Sequence, residues 1–295
     1  MSQNDSSQKP AQVAGLYRRK IGDVVVTAIS DGYIDAPFAA LQSITPEDAD
    51  TILTDNFRPS PPRISVNCYL IQAGGRTAVV DTGSGDTMGP TLGKLFQNLN
   101  RCGVAEADVD TILLTHMHPD HSNGLTRADG TKYFPNAEVV VAEADVKHWH
   151  DDGARSRAPE SQQSRYFNVA RQQIAPYQNQ RKNPGDGVFP HVNAINLSGH
   201  TPGHTGYLVE SGDEALLIWG DICHVPDIQV RRPEVTMAFD TDPQAAIATR
   251  RRAFDMAVAD KLLVAGMHLH FPGFSYMARE GSGYRMIPEA WRFEG

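Results

Sequence analysis

The 295-residue chain is 40% hydrophobic, enough to build a large core as one domain or two small ones. A net charge of −8 and the lack of a long Lys/Arg block argue against nucleic acid as a partner; "RRK" at 18–20 and "RRR" at 250–252 read as solvated surface. Three scattered cysteines, Cys68, Cys102 and Cys223, argue against a disulfide framework or zinc knuckle, and no apolar run reaches the roughly 18 residues of a membrane span.

The chain opens with "MSQNDSSQKPAQ", polar and without the apolar stretch of a secretion signal. Residues 1–20 therefore read as a disordered tail before one domain at 21–295, with a cytoplasmic location as the default. β-Branched runs bounded by Gly, Pro, Asn or Asp then predict strands at 23–30, 65–72, 77–81, 111–115 and 137–142. Further strands are predicted at 194–197, 205–210, 215–221 and 261–266. Between them, Leu92, Leu95, Phe96 and Leu99 share one face of a helix predicted at 89–103, with Gly103 as its stop. "DPQAAIATRRRAFDMAVAD" at 242–260 begins with an Asp cap and a Pro in the first turn, and predicts a second helix. Segments 33–63 and 149–191 lack periodicity and read as long functional loops. Strands and helices mixed in this order predict a layered α/β protein.

The chemistry concentrates in "LLTHMHPDHSNGL" at 113–125. His116 and His118 alternate at a strand end, so both rings face one side. Asp120 and His121 follow Pro119, which suits the first turn of a helix. Three imidazoles and a carboxylate gathered this closely need partners if buried, and a divalent metal supplies them. "SGHTPGHTGYL" at 198–208 adds His200 and His204, "LLIWGDICH" at 216–224 ends a strand in Asp221, and "VAGMHLHFPG" at 264–273 offers His268 or His270.

This succession, with "VVDTG" at 79–83, resembles the metallo-β-lactamase-fold hydrolases from about residue 23 to the C-terminus. "HLHFPG" followed by "REGSGYRMIP" is most similar to the branch holding methyl parathion hydrolase and related lactonases. The resemblance implies a single-domain, four-layer αββα sandwich. It implies a first metal on His116, His118 and His200, and a second on Asp120, His121 and His268, with Asp221 bridging. His204 would brace its turn, and Asp81 would fix the tautomer of a ligand imidazole. By the same match, "H-L-x-F-P-G" favours His268 over His270.

Two divalent ions, Zn²⁺ first with Fe, Mn or Co as alternatives, would activate water for attack on a carbonyl carbon or phosphorus. Asp120 would carry a proton to the leaving oxygen, and Asp221 would order both ions. Arg63, Trp149, His224 and Phe271 are candidate walls of the substrate pocket, His224 at its rim. A lactone or ester hydrolase is the leading reading and a phosphotriesterase the alternative. Oxygen-reducing relatives pair this domain with a flavin domain for which the chain has no room, and a dead site would have lost ligands. The resemblance also implies a homodimer. Sedimentation velocity at micromolar concentration should show a two-chain species, and a single clean monomer would refute it.

Overall fold

The structure is a computed structural model that describes residues 12–293. One sheet holds seven strands in the spatial order Leu16–Ile21, Val24–Asp35, Arg63–Ala73, Arg76–Val80, Thr111–Leu113, Glu138–Val140 and Arg181–Lys182. The other holds six, in the order Gly283–Pro288, Phe274–Glu280, Leu263–Ala265, Glu214–Ile218, Thr205–Ser211 and Val192–Asn196.

Side-chain alternation along these strands produces the layers. In Arg63–Ala73, Tyr69, Ile71 and Ala73 pack into the core between the sheets, against Tyr207, Val209, Leu216 and Phe274 of the second. Cys68 and Leu70 point the other way, into a core shared with Leu95, Leu99, Val146 and Ile174 of covering helices. In Glu214–Ile218 the same alternation sends Leu216 and Ile218 inward and Leu217 outward, onto Phe254 and Ala257 of helix Pro243–Ala259. Each sheet thus buries both faces, and the order is helix, sheet, sheet, helix. The four-layer α/β sandwich of the sequence analysis is the observed fold.

Several boundaries differ. The last residues of the tail expected at 1–20 form a strand instead: Leu16–Ile21 pairs antiparallel with Val24–Asp35 from Leu16↔Ile29 to Ile21↔Val24, burying Ile21. Residues 1–11 lie outside the described residues. The helix at 89–103 shrinks to Leu95–Arg101, because Gly89 and Gly93 adopt φ of 105° and 75° and the buried Asp31 carboxylate caps the helix through the Leu95 amide at 2.9 Å. The helix expected at 242–260 is present as Pro243–Ala259, with Asp242 accepting from the Ala245 amide. Segment 33–63 contains helix Pro46–Asp55, whose start was written in "TPED": the Thr45 side chain accepts from the Asp48 amide. Segment 149–191 is largely a chain of short helices, including a π-helical stretch at Gln163–Asn168.

The "RRR" spot is not all surface. Arg250 is 1% exposed and donates to the carbonyls of Ile222, Pro233 and Val235. It ties helix Pro243–Ala259 to the loop that leaves Asp221. Arg250→Met keeps the apolar stem but leaves the Ile222 and Pro233 carbonyls without that donor and Val235 with Gln229 alone, and should destabilise the fold by about 2–4 kcal/mol in chemical denaturation. A loss under about 0.5 kcal/mol would show that the tie is dispensable.

Candidate metal centre

The sheets are mostly antiparallel, but Thr111–Leu113 runs parallel to both of its neighbours and Glu214–Ile218 runs parallel to Leu263–Ala265. The C-terminal ends of these three strands lead to His116, Asp221 and His268, and such ends are where α/β sheets open a crevice. After Leu113 the chain turns across Asp81, which accepts from the Thr115 amide and hydroxyl, both at 2.7 Å. His118 then caps the short helix Pro119–Ser122, whose first residue is the proline.

His116, His118, His200 and Asp221 bring one donor atom each into a first cluster; Asp120, His121 and His268 form a second. His118 Nδ1 and His200 Nε2 stand 2.9 Å apart, and Asp221 Oδ2 lies 3.6 Å from His116 Nε2 and 3.4 Å from His200 Nε2. That same oxygen is 3.2 Å from both His121 Nε2 and His268 Nε2, while Asp120 Oδ2 is 3.5 Å and 3.4 Å from those two nitrogens. Asp221 Oδ2 therefore belongs to both clusters.

The far nitrogens of these rings are committed elsewhere. His121 Nδ1 donates to Asp81 Oδ2 at 2.7 Å, His200 Nδ1 to Asp240 Oδ1 at 2.6 Å, and His268 Nδ1 to the Ser65 carbonyl at 2.7 Å. Each anchored tautomer leaves Nε2 as the nitrogen facing the cluster. His204 stands apart as a brace. Its Nδ1 donates to the Leu197 carbonyl, and its Nε2 accepts the Asp221 amide at 2.9 Å.

The donors fit a pair of divalent cations. His116 Nε2, His121 Nε2 and Asp221 Oδ1 are buried without a hydrogen-bond partner, a costly state that a bound ion relieves. The electrostatics agree. Burial opposes charge on Asp221, yet His121, His268, His224 and His116 hold its carboxyl well below the usual range. Burial would lower His200, but Asp221 and Asp240 raise it to about 9; burial likewise opposes a proton on His121, which Asp221, Asp120 and Asp81 raise well above its ordinary value. The carboxylates thus demand positive charge, which protons supply until metal displaces them. His116 and His118 are pushed far down, chiefly by burial, and stay neutral donors.

A cavity of about 440 Å³ opens beside His118, lined by Trp149, Tyr166, Phe239, Arg157 and Asp240 among others. Of the four pocket candidates, the structure puts only Trp149 on this wall. Arg63 is turned to the surface, where its guanidinium pairs with Asp35 at 2.7 and 3.0 Å and lies over the Tyr33 ring. Phe271 is 37% exposed and lines no part of the cavity. His224 is not at a rim. It is 2% exposed, stacked on His268 at 4.9 Å, with Nε2 3.0 Å from Asp221 Oδ2. Burial pushes it down to about 4, so it faces the site as a neutral ring. His270 points away from both clusters and pairs with Asp227 at 2.7 Å.

Asp240 was not legible in the sequence, since nothing local to "FDTD" marks it as the partner of a histidine 40 residues earlier. The only signal was physical: an imidazole ligand needs an acceptor for its second nitrogen.

A four-layer sandwich with two His/Asp clusters sharing one carboxylate at its strand ends defines a class of metal-dependent hydrolases. The chain belongs to the metallo-beta-lactamase superfamily, whose model matches residues 61–268. It is similar to the hydrolase AbOPH of the beta lactamase superfamily, at 33% identity over 96% of this chain and 100% of that one, with a TM-score of 0.88. It is also similar to AidC, described as a dizinc quorum-quenching lactonase, at 25% identity over 95% of this chain and 99% of that one, with a TM-score of 0.89. A curated relative from Drosophila melanogaster, Beta-lactamase-like protein 2 homolog, is 30% identical over 158 residues, 52% of this chain. The match takes in 46% of that relative, about half its length. Among the described residues, no helix is long and apolar enough to cross a membrane.

Asp221→Ala should strip both metals and nearly all activity, because one oxygen serves both clusters. His268→Ala should lower metal content to about one per chain, and His270→Ala should leave it at about two. Elemental analysis of the purified variants decides; the reverse result for the two histidines would reassign the ligand.

Proposed function

We propose that the protein is a dinuclear-metal lactonase, opening aromatic lactones or acyl-homoserine lactones to hydroxy acids. The carrying observation is Asp221 Oδ2, shared between the two clusters beside an aromatic-lined cavity that opens on His118. The similarity to AidC, a dizinc lactonase, supports both the zinc assignment and the substrate class.

Two bound divalent ions supply Lewis acidity and lower the pKa of water toward neutrality. His116, His118 and His200 would hold one; Asp120, His121 and His268 the other; Asp221 would join them. The chain itself does the rest. Asp120 is the more accessible of the two cluster carboxylates, its side chain 14% exposed against 1% for Asp221, so it is the one placed to exchange protons with a bound substrate. It takes a proton from the attacking water and returns it to the alkoxide released when the acyl C–O bond breaks. Trp149, Tyr166 and Phe239 exclude water from the acyl or aryl arm.

The same centre suits phosphotriesters, so the groups packed beside it must decide between them. A neutral, buried His224 beside Asp221 offers a hydrogen bond that suits a lactone carbonyl or the carboxylate product. An apolar aryl phosphotriester would leave that buried ring unpaired. On zinc-replete protein, kcat/KM for a lactone should exceed that for a methyl-parathion-like triester at least about tenfold, or ~1.4 kcal/mol. His224→Leu should narrow the gap. A wild-type preference for the triester would overturn the lactonase reading; an unchanged ratio in the Leu variant would overturn only the role of His224.

A further inference from the structure

The centre described so far leaves one buried carboxylate unused. Asp145 is 0% exposed and sits in the first turn of helix Glu143–His150. A carboxylate at this third helical position ordinarily turns back to cap its own helix. Asp145 instead turns inward. Its Oδ2 accepts from the Met117 amide at 2.9 Å, and its Oδ1 from the Gly203 amide at 2.7 Å. The indole Nε1 of Trp149, one turn along the helix, donates to Oδ2 at 3.3 Å.

Met117 lies between His116 and His118, and Gly203 closes the turn that carries His200 and precedes His204. One carboxylate therefore straps together the two loops that contribute all three imidazoles of the first cluster. The contact is tight from both sides: a Cβ at Gly203 would sit 2.6 Å from the Asp145 amide nitrogen and 2.9 Å from its Cβ. Among the described residues, Asp145 makes no ion pair, so its buried carboxylate is held by hydrogen-bond donors and not by a cation. An uncharged side chain of the same shape has one acceptor oxygen and would turn an NH₂ group toward a facing N–H.

We infer that Asp145 is the positioning residue of the first metal site, setting the spacing between the His116–His118 loop and the His200 turn and joining both to the cavity wall through Trp149. The inference rests on the two-metal reading above. Without the strap, each loop retains its own hydrogen bonds, but the 2.9 Å approach of His118 Nδ1 to His200 Nε2 is no longer enforced. The second cluster does not depend on it in the same way. Its His121 is anchored by Asp81 and its His268 by Ser65.

The test is chelator titration of protein reconstituted with Co²⁺, followed by visible absorption and metal content, alongside lactone kinetics. Wild type should hold two ions. Asp145→Asn should release one of them at a chelator concentration at least about tenfold lower, keep the other, and lose at least tenfold in kcat. Trp149→Phe removes only the indole donor and should leave the titration unchanged while raising KM. If Asp145→Asn does not fold, Gly203→Ala pushes the same turn away from the other side and should show the same selective release. Two ions retained with wild-type affinity in a variant that merely melts earlier would overturn the inference, as would equal loss of both ions or loss of metal in Trp149→Phe. Wild type that holds a single ion would instead refute the two-metal reading.

Discussion

The structure depends on the concentration of negative charge around Asp221 at the ends of the central strands. Asp81, Asp120, Asp221 and Asp240 are gathered with seven imidazoles, those of His116, His118, His121, His200, His204, His224 and His268, where little water reaches. Leaving such carboxylates ionised and unpaired would be prohibitive. Among the described residues no Lys or Arg pairs with any of the four, so the positive charge must come from protonated histidine or from metal. That requirement explains why the imidazoles divide in character. His121 and His200, between carboxylates, are driven up, while His116 and His118 are driven down chiefly by burial. A centre built in this way binds cations because the alternative is a strained arrangement of protons.

Holding that arrangement is the work of the sandwich. Each ring has its free edge fixed by a group from a different layer or loop: Asp81 after the fourth strand of the first sheet, Asp240 before helix Pro243–Ala259, Ser65 in the long central strand. His204 adds a second kind of control, because it fixes the backbone of Asp221 rather than its carboxylate. Gly220 is needed for this. It adopts a φ of 60°, and a Cβ there would lie 2.3 Å from His204 Nε2. The glycine of "WGD" is thus explained by the brace it must touch.

What was readable in the sequence was what is local. H-x-H-x-D-H carries four ligands in six residues, and "DPQA" announces a helix start by itself, whereas the helix that begins at "TPED" lies in a segment that reads as loop. Runs of β-branched residues marked the strands of a layered α/β protein, while the helix, sheet, sheet, helix order came only with the family resemblance. What was not readable came from distant partners. Leu16–Ile21 has a charged "RRK" in its middle, and only pairing with the next strand makes it a strand. Arg250 reads as surface until the carbonyls of residues 222, 233 and 235 close around it. Arg63, expected to reach the pocket from a facing loop, and Phe271, beside a ligand motif, are claimed instead by an exposed Asp35 and by the surface. His224 was assigned to the right neighbourhood and the wrong depth, since three residues past Asp221 the chain turns inward, held by Gln229, which accepts the His224 amide.

This division carries a consequence for selectivity. The metal ligands sit on strand ends and tight turns whose side chains are fixed by several partners each. Apart from the loop that carries Phe239 and Asp240, the cavity wall comes from another kind of structure: the run from Glu143 to Gln180 is a succession of short helices, interrupted by a π-helical stretch that carries Tyr166. Irregular helical segments have few repeated hydrogen bonds to defend, so they tolerate substitution and insertion where the sheets do not. Hydrolytic chemistry is therefore set by the part of the chain most strongly constrained, and substrate choice by the part least constrained. The two meet around His118, with the Tyr166 ring 5.0 Å and the Trp149 ring 5.4 Å away, and the Trp149 indole nitrogen rests on the carboxylate between the ligand loops. Substrate arm and metal site thus meet through packed aromatic contacts on His118 and His200, and specificity can drift without dismantling the centre that performs the reaction.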